Sequence, residues 1–268
     1  MSDDRADTDS QGEAAAHHPS VMRALRKSIA DAWLYLGLFV AVNVIWVILL
    51  GLPLGLLGRL ALNPAVAVGG LLTTVLTLAA GNAMLFRLAN RMAHGDVSLR
   101  DFRDALARYS AGSLALVLVL LAILALGAFN VYFYLQVVSG PWWRVIGVVW
   151  GYVVVMFALA MLYCYPLLVE QGCGPLTAMK RSVLLTLDNP GYTLGVAGAL
   201  VLWTFVAVLP ALLAIPVLVG LSALVLCFVE AGFVALVANN ALLELLRKYE
   251  RSERQDDVGG SLPGDPGS

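Results

Sequence analysis

Charge is what this chain lacks most. Of its 268 residues, 13% are Asp, Glu, Lys or Arg, against 60% hydrophobic. From Tyr192 to Val229 there is no Asp, Glu, Lys, Arg or His. Charge confined to a few places excludes an ordinary soluble domain. Apolar runs of about 20 residues are what a ~30 Å hydrocarbon core requires of a helix. Lipid supplies no hydrogen-bond partners, so a spanning segment is a helix or part of a closed barrel. The runs are continuous rather than alternating, which selects helices. A basic excess is also missing: the net charge is −1, which points away from a nucleic-acid partner. The three cysteines, Cys164, Cys173 and Cys227, are widely spaced, with neither a disulfide framework nor zinc spacing. His17, His18 and His94 are isolated, and there is no Ser-His-Asp set, HExxH or phosphate loop. No enzyme activity, cofactor or metal is therefore expected.

What the chain has is a repeated unit. Ala24-Leu25-Arg26-Lys27-Ser28 returns as Ala178-Met179-Lys180-Arg181-Ser182, with a weaker copy in Phe102-Arg103-Asp104-Ala105-Leu106-Ala107-Arg108. Each copy opens a basic amphipathic segment that feeds two apolar spans. The fold class expected is all-α: a polytopic membrane bundle of six transmembrane helices arranged as three hairpins. The amphipathic segments fall at 21–31, 99–109 and 176–187. The spans fall at 32–50, 65–86, 112–134, 145–168, 192–209 and 217–243. Residues 1–20 and 250–268 read as disordered tails flanking a membrane domain over 21–249. Gly51, Pro53 and Gly55 are expected to end the first span, leaving 51–64 as a loop that could re-enter the membrane. Ser98 is a candidate N-cap, with Asp101 in the first helical turn.

Six spans put both termini on one side. Of the 17 Lys and Arg residues, only Arg59 and Arg144 fall on the other side. The positive-inside rule then makes both termini cytoplasmic. The basic face so defined carries Arg26, Lys27, Arg103, Arg108, Lys180 and Arg181. Two readings of it are open. The segments lie on the lipid bilayer, cations toward anionic headgroups, or they form a docking platform for another membrane complex.

One charge sits deep in a span. Glu230 lies midway between Val217 and Leu243, where an acid costs roughly 2.5–3.5 kcal/mol on insertion scales. Helical spacing aligns Gly220, Ala223, Cys227, Glu230, Val234, Val237 and Ala241 in a mostly small stripe suited to close helix contact. No Lys or Arg shares its depth, so its expected partners are neutral: Asn43 and Thr204. These three residues are candidates for a substrate or ion site coupled to a proton or cation. The alternative is a neutral carboxylic acid tying helices together.

Several stretches resemble a known family. Asn43–Pro53 is similar to the first span of the YesL-like bacterial integral membrane proteins, a family with a domain of unknown function. Asn63-Pro64-Ala65, Gly95–Phe102 and Asn130-Val131-Tyr132-Phe133-Tyr134 resemble further stretches of that family, over roughly residues 24–215. The chain differs in its longer 51–64 segment, its long second span and its sixth span. The resemblance implies a bacterial plasma-membrane location and a setting near carbohydrate uptake systems, and it supplies no catalytic residue. Two functions follow as expectations: an accessory or structural subunit of a membrane complex, or a small transporter or channel built from repeated hairpins.

Overall fold

The computed structural model describes the backbone of residues 19–60, 64–98, 100–213 and 216–259. Most of the two expected tails, and the loop residues 61–63, lie outside the described residues. The chain is all-α, with no strand among the described residues, and six helices are long and apolar enough to cross a membrane.

Helix α1 is Val21–Leu34, α2 Leu36–Leu60 and α3 Pro64–His94. Helix α4, Arg100–Tyr132, ends in a π turn at Phe133–Val137, and α5 is Pro141–Met161. The short α6, Cys164–Glu170, completes the fourth span. Helix α7 is Pro175–Asp188 and α8 Pro190–Leu212. The last span is α9, Pro216–Val225, a π turn at Leu226–Glu230, and α10, Ala231–Gly259.

Several boundaries differ from those expected, each for a physical reason. The first span starts at Leu36 and runs through Pro53 to Leu60. Proline removes one backbone donor, which transmembrane helices tolerate, so 51–60 is helix and not a re-entrant loop. The second span continues past Arg87 to His94 because its last polar residues find protein partners. Arg91 pairs with Asp101 at 3.1 Å, and Asn90 donates to Glu170 at 2.5 Å. From Arg100 on, the expected segment 99–109 and span 112–134 run together as one helix, ending in the π turn. Nothing breaks it, and Gly112 lets Leu168 pack closely. The fourth span does break, at Leu162-Tyr163. Pro166 lacks an N–H and its ring crowds the carbonyl four residues earlier, that of Leu162. The fifth span, α8, carries Pro210 inside it. The final helix extends into the expected tail, to Gly259, through a Glu/Arg/Gln-rich stretch of good helix formers.

The three repeated units close on one another. Each basic segment packs on the second span of a different unit. The α1 Ser28 hydroxyl accepts from Asn240 of α10 at 3.0 Å. The first turns of α4 lie against Arg87 and Arg91 of α3. The α7 Ser182 hydroxyl donates to the Ala160 carbonyl of α5. In the repeated pattern the small positions, Ala24 and Ser28, Ala178 and Ser182, are buried, as is Ala105 in the weaker copy. The core sits where α3, α6 and α10 meet, and Leu88, Leu167, Leu236 and Leu242 are fully enclosed there. Outward-facing leucines and valines remain exposed along the spans, as lipid contact requires.

Candidate functional site

The first candidate is built on Glu230, the last residue of the π turn. Its carboxyl lies about 20 Å along the helix from both Val217 and Glu244, at 1.5 Å per residue, and so near mid-span. A π turn inserts one residue into the helical register. That shift splits the small stripe expected from the sequence. Val237 and Ala241 are buried, whereas Gly220 and Ala223, before the turn, are exposed and Ser222 is buried instead. The Thr204 hydroxyl of α8 donates to Glu230 Oε1 at 2.5 Å. Glu230 Oε2 is buried with no partner among the described residues.

Asn43 is fully buried on α2, but it does not meet the carboxylate. Its Oδ1 accepts from the Gly232 N–H at 2.7 Å, and its Nδ2 donates to Phe39 O at 2.8 Å. It therefore fixes the backbone two residues beyond Glu230. Gly232 permits this approach: a Cβ there would sit 2.3 Å from Asn43 Nδ2 and 2.8 Å from Phe39 Cε2. A short polar chain, Trp46 to Asn82 to Tyr165, crosses α2, α3 and α6 separately. The structure thus brings Thr204 to the carboxyl and sets Asn43 behind it. A half-satisfied carboxyl at this depth can bind a proton or a cation, or hold α8 against the last span.

The second candidate is the end of the bundle where α1, the start of α4, α7 and the end of α10 gather. Some of its cations are used internally. Lys27 donates to Asp31 at 2.8 Å and to the Ala93 carbonyl at 2.7 Å, near the negative end of α3. Arg23 reaches Glu244, which is 2% exposed, at 3.2 Å. Arg181 donates to Gln171 Oε1, and Arg108 stands 5.7 Å from the Tyr109 ring centre. Asp101 accepts from the Ser98 N–H at 2.8 Å, half of a capping box. In contrast, Arg26, Arg100, Arg103 and Lys180 are exposed and make no ion pair among the described residues. Each basic segment therefore has an inner face against protein, of small residues in α1 and α7 and of Asp101, Ala105 and Tyr109 in α4, and an outer cationic face.

Sequence reasoning missed the polar seam between α1 and α10. Asn240 donates to both Ser28 and Asp31 at 3.0 Å, and Glu244, one turn later, takes Arg23. The signal was present: Asn240 and Glu244 at helical spacing in an otherwise apolar helix, facing Arg23, Lys27 and Asp31 at the same spacing on α1. No protein-family model matches the chain, and no curated protein or solved structure matches it.

Proposed function

We propose that this chain is a non-enzymatic, multi-pass accessory subunit of a bacterial plasma membrane, with both termini cytoplasmic, that docks another membrane complex through its basic end. The complex it serves is a carbohydrate uptake system, the setting that the YesL-like resemblance implies. The observation that carries the reading is the two-faced build of the basic segments: one face turned inward against protein, with Arg26, Arg103 and Lys180 turned outward and unpaired among the described residues. Cations kept at a membrane surface and not consumed by the fold are available to a partner of opposite charge. Sidedness rests on the positive-inside rule.

The test is affinity purification from native membranes in mild detergent, comparing the wild type with a chain carrying Arg26→Glu, Arg100→Glu, Arg103→Glu and Lys180→Glu. The expected outcome is a stoichiometric permease lost from the variant, which still inserts and runs as one species on size exclusion. Retention of the permease by the variant overturns the docking reading. Lys27 and Arg181 are left unchanged because both hold internal bonds.

A second reading, a small proton- or cation-coupled transporter or channel, is favoured by the Oε2 of Glu230, partnerless among the described residues and at the end of a π turn. Glu230→Gln preserves size and most hydrogen bonding but abolishes titration. In proteoliposomes a coupled transporter carrying it loses proton- or cation-driven uptake at least tenfold. Full flux in Glu230→Gln assigns the carboxyl to helix packing.

A further inference from the structure

At the basic end an open cavity of about 480 Å³ lies between α6, α7 and α10. That volume falls within the roughly 300–1,000 Å³ of small-molecule sites. Its apolar lining comes from Leu167, Leu184, Leu185 and Leu246, and Leu184 is 56% exposed. Leu167 and Leu246 belong to membrane-spanning segments close to their basic ends. The cavity is therefore at the level where acyl chains meet headgroups.

Its rim is charged on one side. Arg181 lines the cavity and uses one guanidinium nitrogen on Gln171 Oε1, leaving other donors free. The next residue, Gly172, takes φ +59°, and a Cβ built there would lie 3.8 Å from an Arg108 guanidinium nitrogen. Two exposed guanidiniums thus flank the Gln171-Gly172 turn, and neither has an ion pair among the described residues. The acid on the rim, Asp188, is already engaged. It accepts from the Tyr249 hydroxyl, and Lys248 stands 3.8 Å away. The Tyr249 hydrogen bond, opposed by burial and aided by Lys248, holds its carboxyl below the usual carboxylate range. It stays ionised, and the Lys248 ammonium beside it offsets its charge.

An occupant must be apolar along the leucines and anionic at the arginines. We propose that this cavity binds one anionic phospholipid, an acyl chain lying along Leu184, Leu185 and Leu246 and the phosphate held by Arg181 and Arg108. Arginine's planar fork suits a phosphate better than lysine's point charge does. A zwitterionic lipid of the same chain length shares the apolar contacts but carries its own cation into the arginine pair, and it binds more weakly.

The experiment uses the full chain, purified in non-ionic detergent, with native mass spectrometry of retained lipid after adding dioleoyl-phosphatidylglycerol or dioleoyl-phosphatidylcholine. One phosphatidylglycerol is expected to remain bound at concentrations where phosphatidylcholine is lost. At about fivefold per cation near a membrane surface, Arg108→Gln with Arg181→Gln weakens retention roughly 25-fold. Leu184→Trp, which fills the groove at an exposed position, displaces the lipid while both arginines stay. Size exclusion and thermal unfolding of each variant establish that it is folded, and the single Arg181→Gln serves if the double variant is not. Equal retention of the two lipids overturns the proposal, as does undiminished retention by the arginine variants. Displacement by millimolar inorganic phosphate as effective as by lipid overturns it in favour of a free-phosphate site. A stoichiometric protein released by Leu184→Trp overturns it in favour of a protein docking groove.

Discussion

At the scale of single residues, the fold depends on a few positions where two helices come closer than side chains usually allow. Gly232 is the sharpest. Its missing Cβ leaves room for Asn43 and Phe39, both buried, and Asn43 in turn satisfies the Gly232 N–H beside the π turn. Gly232→Ala gains helix propensity, worth up to about 1 kcal/mol. It also forces two fixed side chains to move, and overpacking of this kind costs about 1–3 kcal/mol. The clash is with a hydrogen-bonded amide and a core ring rather than a flexible chain end, so the cost outweighs the gain. Gly232→Ala is expected to lower the unfolding temperature in detergent. Gly220→Ala, where nothing among the described residues lies within 4 Å of the added Cβ, is expected to leave it unchanged or raise it slightly. Equal behaviour of the two variants would show that α2 and α10 do not meet at Gly232. The same residues show where sequence reasoning stops. Asn43 and Glu230 were legible as polar groups in apolar spans, and Thr204 follows from its depth. That Asn43 serves a backbone N–H, and not the carboxyl, depends on a π turn. Nothing in Leu226-Cys227-Phe228-Val229-Glu230 announces one.

At the scale of elements, the repeated small–apolar–cation–cation–serine pattern proves to be a packing device with a charged back. Ala24 and Ala178 have essentially no exposed surface, while Arg26 and Lys180 point away from the bundle. Ala24→Leu and Ala178→Leu should therefore each destabilise the protein by about 1–3 kcal/mol through overpacking. Arg26→Gln and Lys180→Gln should stay within about 0.5 kcal/mol of wild type, as exposed substitutions do. Thermal unfolding of the four variants decides between this arrangement and helices that merely rest on lipid. In the latter case the added leucines would be neutral or would strengthen membrane contact. The six spans were legible because a long apolar run has one physical solution in a bilayer. Their ends were legible only in part. The expected second span stops at 86, just before Arg87 and Arg91, but Asp101 of the next helix pairs with both, and a partner on another helix cannot be read from local pattern. Pro53 reads as a helix end in the sequence, and Pro166 falls inside the expected span 145–168. The helix runs on through Pro53 and breaks a turn before Pro166, where Tyr163 turns its hydroxyl toward Thr193 of α8.

At the scale of the whole molecule, the contacts among the three units place both described ends of the chain at one end of the bundle. Arg23 meets Glu244, and Asn189 donates to Tyr249 at 2.7 Å. Glu170 lies beside Asn90 and His94 at that same end. The connection at 138–140, with Trp142, Trp143 and Arg144 just after it, lies at the other end. This arrangement converts the charge bias into a paired prediction. An alkaline phosphatase reporter, active only outside the cytoplasm, is expected to be active when inserted at 139–140 and inactive when fused after Ser268. A fluorescent protein that matures only in the cytoplasm should give the converse. If both sites report the same side, one of the last three spans does not cross and the hairpin scheme fails. If the two sites report opposite sides but reversed, the last three spans stand and the positive-inside assignment falls. The basic end, with its exposed Arg26, Arg103 and Lys180 and the cavity between α6, α7 and α10, would then face outward.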